Sequence, residues 1–90
     1  MPTASANVTI INRLGLHARP AMEFVDLATQ FKANVTVKRA DQSVDGKSIM
    51  QMMLLAATKG TELEVIADGE DADAAIAALK KLVESGFSEE

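Results

Sequence analysis

The chain contains 90 residues, of which 48% are apolar, and it carries a formal net charge of −4. This length allows one small globular domain, predicted to span residues 1–90, and the acidic charge argues against nucleic-acid binding. The lack of cysteine excludes disulfides and thiolate-bound metals and suits a cytoplasmic protein, and no apolar run is long enough for membrane insertion. The isolated pair Lys38-Arg39 is predicted to lie on a solvated face.

The N-terminal third of the chain combines a strand pattern with a helix pattern. Alternating β-branched residues predict a strand over residues 4–11, followed by a loop in which Gly15 permits a sharp turn. Apolar residues at helical spacing predict a helix over residues 18–31, with Pro20 in the first turn, where a missing N–H is tolerated. His17, the only histidine, is therefore predicted at or next to the N-cap of this helix.

The middle of the chain has the pattern of a β-hairpin followed by a short helix. Strands are predicted over residues 34–39 and 43–45, joined by a turn at residues 41–42. Ser48 is a favourable N-cap residue for a helix over residues 49–55, which is expected to bury some of its apolar side chains.

The remaining elements complete an α+β order. A fourth strand is predicted over residues 62–68, and a last helix, capped by Asp71, over residues 72–85. The order β-α-β-β-α-β-α predicts a two-layer sandwich in which helices cover one face of a mostly antiparallel, four-stranded sheet. The other face is predicted to be polar and to carry Asn7, Thr9, Thr36, Lys38, Glu62 and Glu64.

The position of His17 favours chemistry with an anionic group. The start of a helix provides N–H groups without intrahelical partners and the positive end of the helix dipole, which together attract anions. An imidazolium cation is disfavoured there, and a neutral ring nitrogen is a nucleophile. If His17 accepts a phosphoryl group, its oxygens meet the N–H groups of Ala18 and Arg19 and the Arg19 guanidinium.

Simpler interpretations of the same residues stay open. A lone histidine before a helix is commonly a polar loop residue or a cap, and Arg19 can be an ordinary surface charge. The element order also fits a ferredoxin-like interaction domain, since a fold does not determine a function. One histidine without cysteine argues against a metal site, and no nucleophile elbow or deep cleft indicates a Ser-His-Asp hydrolase.

Two motifs resemble those of a known family. Residues 15–21, Gly-Leu-His-Ala-Arg-Pro-Ala, and residues 46–50, Gly-Lys-Ser-Ile-Met, resemble the active-site and regulatory-serine segments of HPr, the histidine-containing phosphocarrier family of the bacterial phosphoenolpyruvate-dependent sugar phosphotransferase system. The resemblance covers essentially the whole chain and implies an open-faced β-sandwich. It implies that His17 takes a phosphoryl group on Nδ1 from enzyme I and donates it to enzyme IIA, while Arg19 steadies the group. It also implies a cytoplasmic carrier without a cofactor, not an enzyme with turnover; we expect a monomer.

Ser48 has a structural and a regulatory interpretation. As an N-cap it stabilises a helix without any modification. The resemblance implies phosphorylation by an ATP-dependent HPr kinase/phosphorylase, which would lower transfer at His17. Because a phosphate is tolerated at a helix N-terminus, inhibition would act by repelling acidic partner surfaces rather than by unfolding. In an alternative hypothesis, the chain is mainly a phospho-state-dependent regulator that acts through Ser48.

The short helix after Ser48 is rich in methionine. In the family it lies beside the active histidine and offers apolar contacts, and flexible methionines suit a surface that meets several partners. Ile49 and Met53 are predicted to lie in the core or to be partly buried, together with Leu54, and Met50 is predicted to be exposed. The predicted partner contacts are Ile49, Met50 and Met53.

Overall fold

The computed structural model describes residues 2–88, apart from the side chain of Ser88. Met1, Glu89 and Glu90, which the predicted domain includes, lie outside the described residues. Within this range the elements follow the predicted order, and a short 3₁₀ turn is added after the last helix. In chain order they are β1 (Thr3–Thr9), α1 (Ala18–Ala28), β2 (Asn34–Arg39), β3 (Gln42–Asp45), α2 (Ile49–Leu54), β4 (Glu62–Asp68), α3 (Ala72–Glu84) and the turn (Gly86–Ser88).

The described strands form one sheet in the order β1-β4-β2-β3. β4 lies between β1 and β2, so Val65 is paired with Ala6 on one side and with Val37 on the other. Because side chains alternate along a strand, this register sends every second residue of each strand to the same face. All pairings among the described strands are antiparallel, which confirms the predicted type of sheet.

The helices cover one face of the sheet and form the core with it. Most of the apolar residues that recur at helical spacing in α1 and α3 are buried, and Phe24 and Phe87 are the largest fully buried side chains. Burying one such side chain contributes about 2–3 kcal/mol. The opposite face carries the polar side chains predicted for it, all exposed or half-exposed: Asn7, Thr9, Thr36, Lys38, Glu62 and Glu64.

Several boundaries differ from the prediction. β1 covers Thr3–Thr9 rather than residues 4–11, and β3 begins at Gln42 rather than at residue 43. α2 and α3 each end one residue earlier than predicted, at Leu54 and Glu84. α1 ends at Ala28 rather than at residue 31, because the chain turns at Thr29, whose hydroxyl donates to a carbonyl of the last helical turn at 2.9 Å. The turn between β2 and β3 lies at residues 40–41, one residue earlier than the predicted turn at residues 41–42. None of these differences alters the order of the elements.

Asp71 occupies the N-cap position of α3 but does not cap this helix. Its carboxylate instead accepts the backbone N–H groups of Lys32 and Ala33, each at 2.8 Å. The predicted capping bond is therefore wrong, and Asp71 ties the loop before β2 to the start of α3. These two hydrogen bonds hold the pKa of the Asp71 carboxyl below its ordinary value, because both favour the charged form. The bond from the Lys32 N–H has the larger effect, and the bond from the Ala33 N–H has the smaller one.

Replacing Asp71 with asparagine is expected to lower the free energy of unfolding at neutral pH, because an uncharged amide has one oxygen for two N–H donors. The native pKa lies below the unfolded one, so the contribution of the carboxylate is present above the unfolded pKa and lost as the pH falls through the native pKa. Urea unfolding at a series of pH values should therefore show the difference between wild type and Asp71→Asn shrinking in acid. Asp73→Asn is the control, because it removes the same charge in the first turn of the same helix. If Asp73→Asn changed the free energy of unfolding with the same pH dependence as Asp71→Asn, the explanation would be contradicted.

Candidate functional site

His17 is the N-cap residue of α1. Its backbone is extended (φ −83°, ψ −169°), and its carbonyl accepts the N–H of Ala21 at 3.0 Å. The imidazole makes no capping hydrogen bond to the helix and is half-exposed. The predicted position at the start of the helix is therefore confirmed.

The backbone before His17 is held against the segment that follows α2. Leu16 is buried, and its N–H donates to the carbonyl of Ala57 at 2.8 Å. The backbone of Gly15, which has a φ of 70°, lies against the backbone of Ala57. A Cβ added to Gly15 would be 2.5 Å from the Ala57 oxygen. The side-chain amide of the buried Asn12 donates to the Gly15 carbonyl at 2.6 Å. His17 therefore follows a tightly held turn.

The first turn of α1 favours an anion next to His17. Ala18 and Arg19 are exposed, and their N–H groups occupy positions at which a helix provides no acceptor. Pro20 has no N–H and is buried, so it anchors the turn without adding a donor. The turn contains no acidic residue, and the helix dipole adds positive potential. The three predicted site residues thus lie together at one accessible helix end, and their roles stay a prediction.

Ser48 is the N-cap residue of α2, as predicted. Its Oγ accepts the N–H of Gln51 at 3.2 Å, and the side-chain oxygen of Gln51 accepts the N–H of Asp45 at 2.9 Å. The hydroxyl is half-exposed and acts as a structural acceptor. Phosphorylation of Ser48 stays a prediction.

Ser48→Ala is expected to lower the free energy of unfolding by about 1 kcal/mol, because the N–H of Gln51 loses its acceptor. Ser48→Asn keeps a capping oxygen and should stay within about 0.5 kcal/mol of the wild type. Urea unfolding of the three proteins measures both differences. Equal losses in the two variants would show that the capping oxygen does not stabilise α2.

The outward side of α2 is apolar. Met50 is 76% exposed and Leu54 is 66% exposed, whereas Ile49 and Met53 are 39% and 44% exposed. The predicted exposure of Met50 is therefore confirmed. The prediction for Leu54 is wrong, because it does not reach the core. The predicted burial of Ile49 and Met53 is also wrong, because both side chains are exposed.

The core contacts at this helix come from Met52 and Leu55, both fully buried. Met52 is absent from the predicted core residues, which included Leu54 instead of Leu55. Met52 lies four residues after the N-cap Ser48 and three before Leu55, so these positions share one side of the helix. That spacing was the signal in the sequence that identifies the buried side.

Arg39 also differs from its prediction. It is half-buried instead of solvated, and its Nη1 donates to the carbonyl of Leu55 at 2.6 Å and to that of Ala56 at 3.4 Å. Alternation along β2 explains its direction, because Arg39 shares the helix-covered face with Val35 and Val37. The bond to Leu55 joins residues 16 positions apart, so no local pattern could indicate it.

The described surface also has depressions away from His17. Two depressions of about 360 and 300 Å³ are lined mainly by strand residues, and His17 lines neither. Among residues 2–88, no group of three or more His, Cys, Asp and Glu side chains could hold a metal ion. No helix in the described part of the chain is both long and apolar enough to cross a membrane.

Comparisons with known proteins agree with this geometry. The family model described as "PTS HPr component phosphorylation site" matches residues 4–85. The phosphocarrier protein HPr of Pseudomonas aeruginosa is 51% identical over 83 residues, which cover 91% of this chain and 92% of that protein. HPr-C-His from Thermoanaerobacter tengcongensis superposes with a TM-score of 0.93 at 40% identity, and the match covers 97% of this chain and 98% of that one. The chain therefore belongs to the HPr family of phosphocarriers of the phosphotransferase system, which confirms the resemblance and the open-faced β-sandwich.

One solved relative bears on the oligomeric state. A structure described as an HPr dimer from Thermoanaerobacter tengcongensis matches with a TM-score of 0.78 at 41% identity, covering 91% of this chain and 94% of that one. A relative has thus been observed as a dimer. The monomer expected for this chain stays a prediction.

Proposed function

We propose that the chain carries a phosphoryl group on Nδ1 of His17, accepting it from phosphorylated enzyme I and donating it to enzyme IIA proteins. The observation that carries this proposal is the position of the imidazole, half-exposed at the N-cap of α1 and next to the exposed Ala18 and Arg19. Membership of the HPr family supports the same residue, since the chain has no other histidine.

Each transfer exchanges one bond to phosphorus for another. The lone pair of the His17 nitrogen attacks phosphorus, the bond from phosphorus to the donor atom of enzyme I breaks, and its electron pair leaves with the donor. Transfer to enzyme IIA repeats this exchange with the His17 nitrogen as the leaving atom. Catalysis of such a step consists mainly of alignment and charge stabilisation.

The charge of the carried group is stabilised by the start of α1. The N–H groups of Ala18 and Arg19 point towards the N-terminal end of the helix, where the dipole favours an anion. The exposed Arg19 guanidinium adds charge-assisted hydrogen bonds to the phosphoryl oxygens. Because the first turn has no acidic residue, no carboxylate there repels the group.

The proposed contacts with partner proteins lie on α2. Ile49, Met50 and Met53 expose apolar surface, and Leu54 adds to it. Enzyme I and enzyme IIA present different surfaces to the same histidine, and flexible methionine side chains can adapt to both. The proposed contacts therefore combine a rigid helix start at His17 with an adaptable apolar helix.

Regulation at Ser48 forms a second part of the proposal. HPr kinase/phosphorylase would transfer a phosphoryl group from ATP to the hydroxyl oxygen, and the ester would remain compatible with the N-terminus of α2. Its charge would repel acidic partner surfaces and so lower transfer at His17 without unfolding the protein. We further propose that the chain acts as a single-domain, cytoplasmic monomer without a cofactor.

Incubation with enzyme I and phosphoenolpyruvate tests the main proposal. We expect one phosphoryl group per chain by intact mass, labile in acid and stable in alkali, and phosphorus NMR should place it on Nδ1 of His17. Addition of an enzyme IIA protein should then discharge it. No phosphoryl group would contradict the proposal, and an acid-stable ester formed only with ATP and HPr kinase/phosphorylase would favour a regulator that acts through Ser48.

A further inference from the structure

We infer that Arg39 is a positioning residue for His17 and acts through Leu55, Ala56 and Ala57, the segment that we call the α2 exit. The inference rests on the proposed function, because it concerns how the carrier histidine is held. Arg39 reaches the α2 exit from the end of β2, and the α2 exit in turn holds the backbone just before His17.

Arg39 supplies a cation that α2 lacks. The six residues of α2 include no charged side chain, so nothing within the helix complements the negative end of its dipole. Nη1 of Arg39 donates to the Leu55 carbonyl at 2.6 Å and to the Ala56 carbonyl at 3.4 Å. A half-buried guanidinium bonded to the last carbonyls of a helix makes charge-assisted hydrogen bonds that solvent screens only in part.

The α2 exit has a conformation that needs support. Ala56 has a φ of 50°, in the left-handed region that disfavours a residue with a Cβ. Its neighbours Leu55 and Ala57 are buried, so the chain must make this turn between two anchored side chains. Arg39 bonds the carbonyls at the start of this turn and thereby opposes its relaxation.

The far side of the α2 exit supports the site. The Ala57 carbonyl accepts the N–H of Leu16 at 2.8 Å, and the backbone of Gly15 lies directly against it. Leu16 immediately precedes His17, so the position of the N-cap depends on the position of Ala57. Phosphoryl transfer depends on in-line alignment, and a displacement of about 1 Å can slow a reaction on the order of 10²-fold.

Arg39→Met tests the inference, because it keeps an apolar stem and removes every donor. We expect kcat for phosphoryl transfer from enzyme I to fall about three- to tenfold with little change in KM, and Arg39→Lys to recover part of the loss. Lys38→Met is the matched control: it removes the same charge one residue away, on the open face of the sheet, and should retain the wild-type kcat.

Amide hydrogen exchange provides a readout that does not depend on transfer. In Arg39→Met, the N–H of Leu16 should exchange about tenfold faster relative to core amides such as that of Val37, and the ring resonances of His17 should shift. Uniform acceleration of all amides, or an unchanged kcat, would overturn the inference and leave Arg39 a purely structural residue. If Arg39→Met does not fold, Arg39→Lys gives the same comparison at smaller amplitude. A wild type that accepts no phosphoryl group would overturn the proposed function, while the exchange rates would still decide whether Arg39 positions the site.

Discussion

Replacing His17 with alanine is expected to abolish acceptance of a phosphoryl group from enzyme I and to leave the fold intact. The chain contains no second imidazole that could take over. The His17 side chain is half-exposed and lies outside the core, so its loss should change the free energy of unfolding by no more than about 1 kcal/mol. Intact mass after incubation with enzyme I and phosphoenolpyruvate measures the first effect, and urea unfolding measures the second.

Arg19→Ala is the matched control for this substitution, because it changes the neighbouring charge and keeps the acceptor nitrogen. It should slow phosphorylation without abolishing it, since the N–H groups of the α1 terminus remain. Undiminished phosphorylation of His17→Ala would refute the assignment of the acceptor. Complete loss in Arg19→Ala would show that the guanidinium does more than stabilise charge.

Replacing Gly15 with alanine is expected to destabilise the protein and to disturb the site at the same time. At a φ of 70°, the new Cβ would lie 2.5 Å from the oxygen of Ala57 and 2.9 Å from the Cα of Thr58. Both are backbone atoms that cannot rotate away, so the α2 exit must move and its bond to Leu16 must lengthen or break. With the left-handed backbone penalty included, we expect a loss of about 2–4 kcal/mol in the free energy of unfolding.

Gly86→Ala separates the steric clash with the α2 exit from the penalty of the left-handed backbone, because it has only the second. Gly86 has nearly the same φ, 71°, but the nearest atom to an added Cβ is Cγ1 of Ile11 at 3.6 Å, an ordinary contact. It should therefore cost only the backbone penalty of about 1 kcal/mol. Urea unfolding compares the two variants, and phosphorylation rates are compared at a temperature at which both are folded. Equal losses would mean that the approach of Gly15 to Ala57 is unimportant.

Much of the fold could be predicted from local patterns. The bounds of β2 (Asn34–Arg39) and β4 (Glu62–Asp68) agree with the prediction to the residue, because regular alternation over a two-layer sheet is visible within each strand. The cap at Ser48 was also predicted correctly, since its partner, Gln51, lies only three residues away. The prediction succeeded where the physical cause lies within one turn or one strand.

The incorrect predictions involve partners distant in the chain or a choice between adjacent faces. Asp71 was expected to bond to its own helix, but its carboxylate accepts the N–H groups of Lys32 and Ala33. Arg39 was expected on a solvated face, but it bonds the end of α2. Leu54 was expected in the core, but the buried side of α2 is the adjacent one, which carries Met52 and Leu55.

The candidate site likewise combines groups that the local sequence predicts with support that only the folded chain reveals. Its chemical groups are contiguous in the sequence: an imidazole at His17, N–H groups and a cation in the next two residues, and a glycine two residues before the imidazole. Local sequence suffices to predict these groups, because helix starts and turns are set by neighbouring residues. The support beneath them, from Ala57 to Leu16, became visible only in the folded chain. A hydrogen bond between segments so far apart is set by the packing of α2 against α1 and β3, and no local pattern encodes that packing.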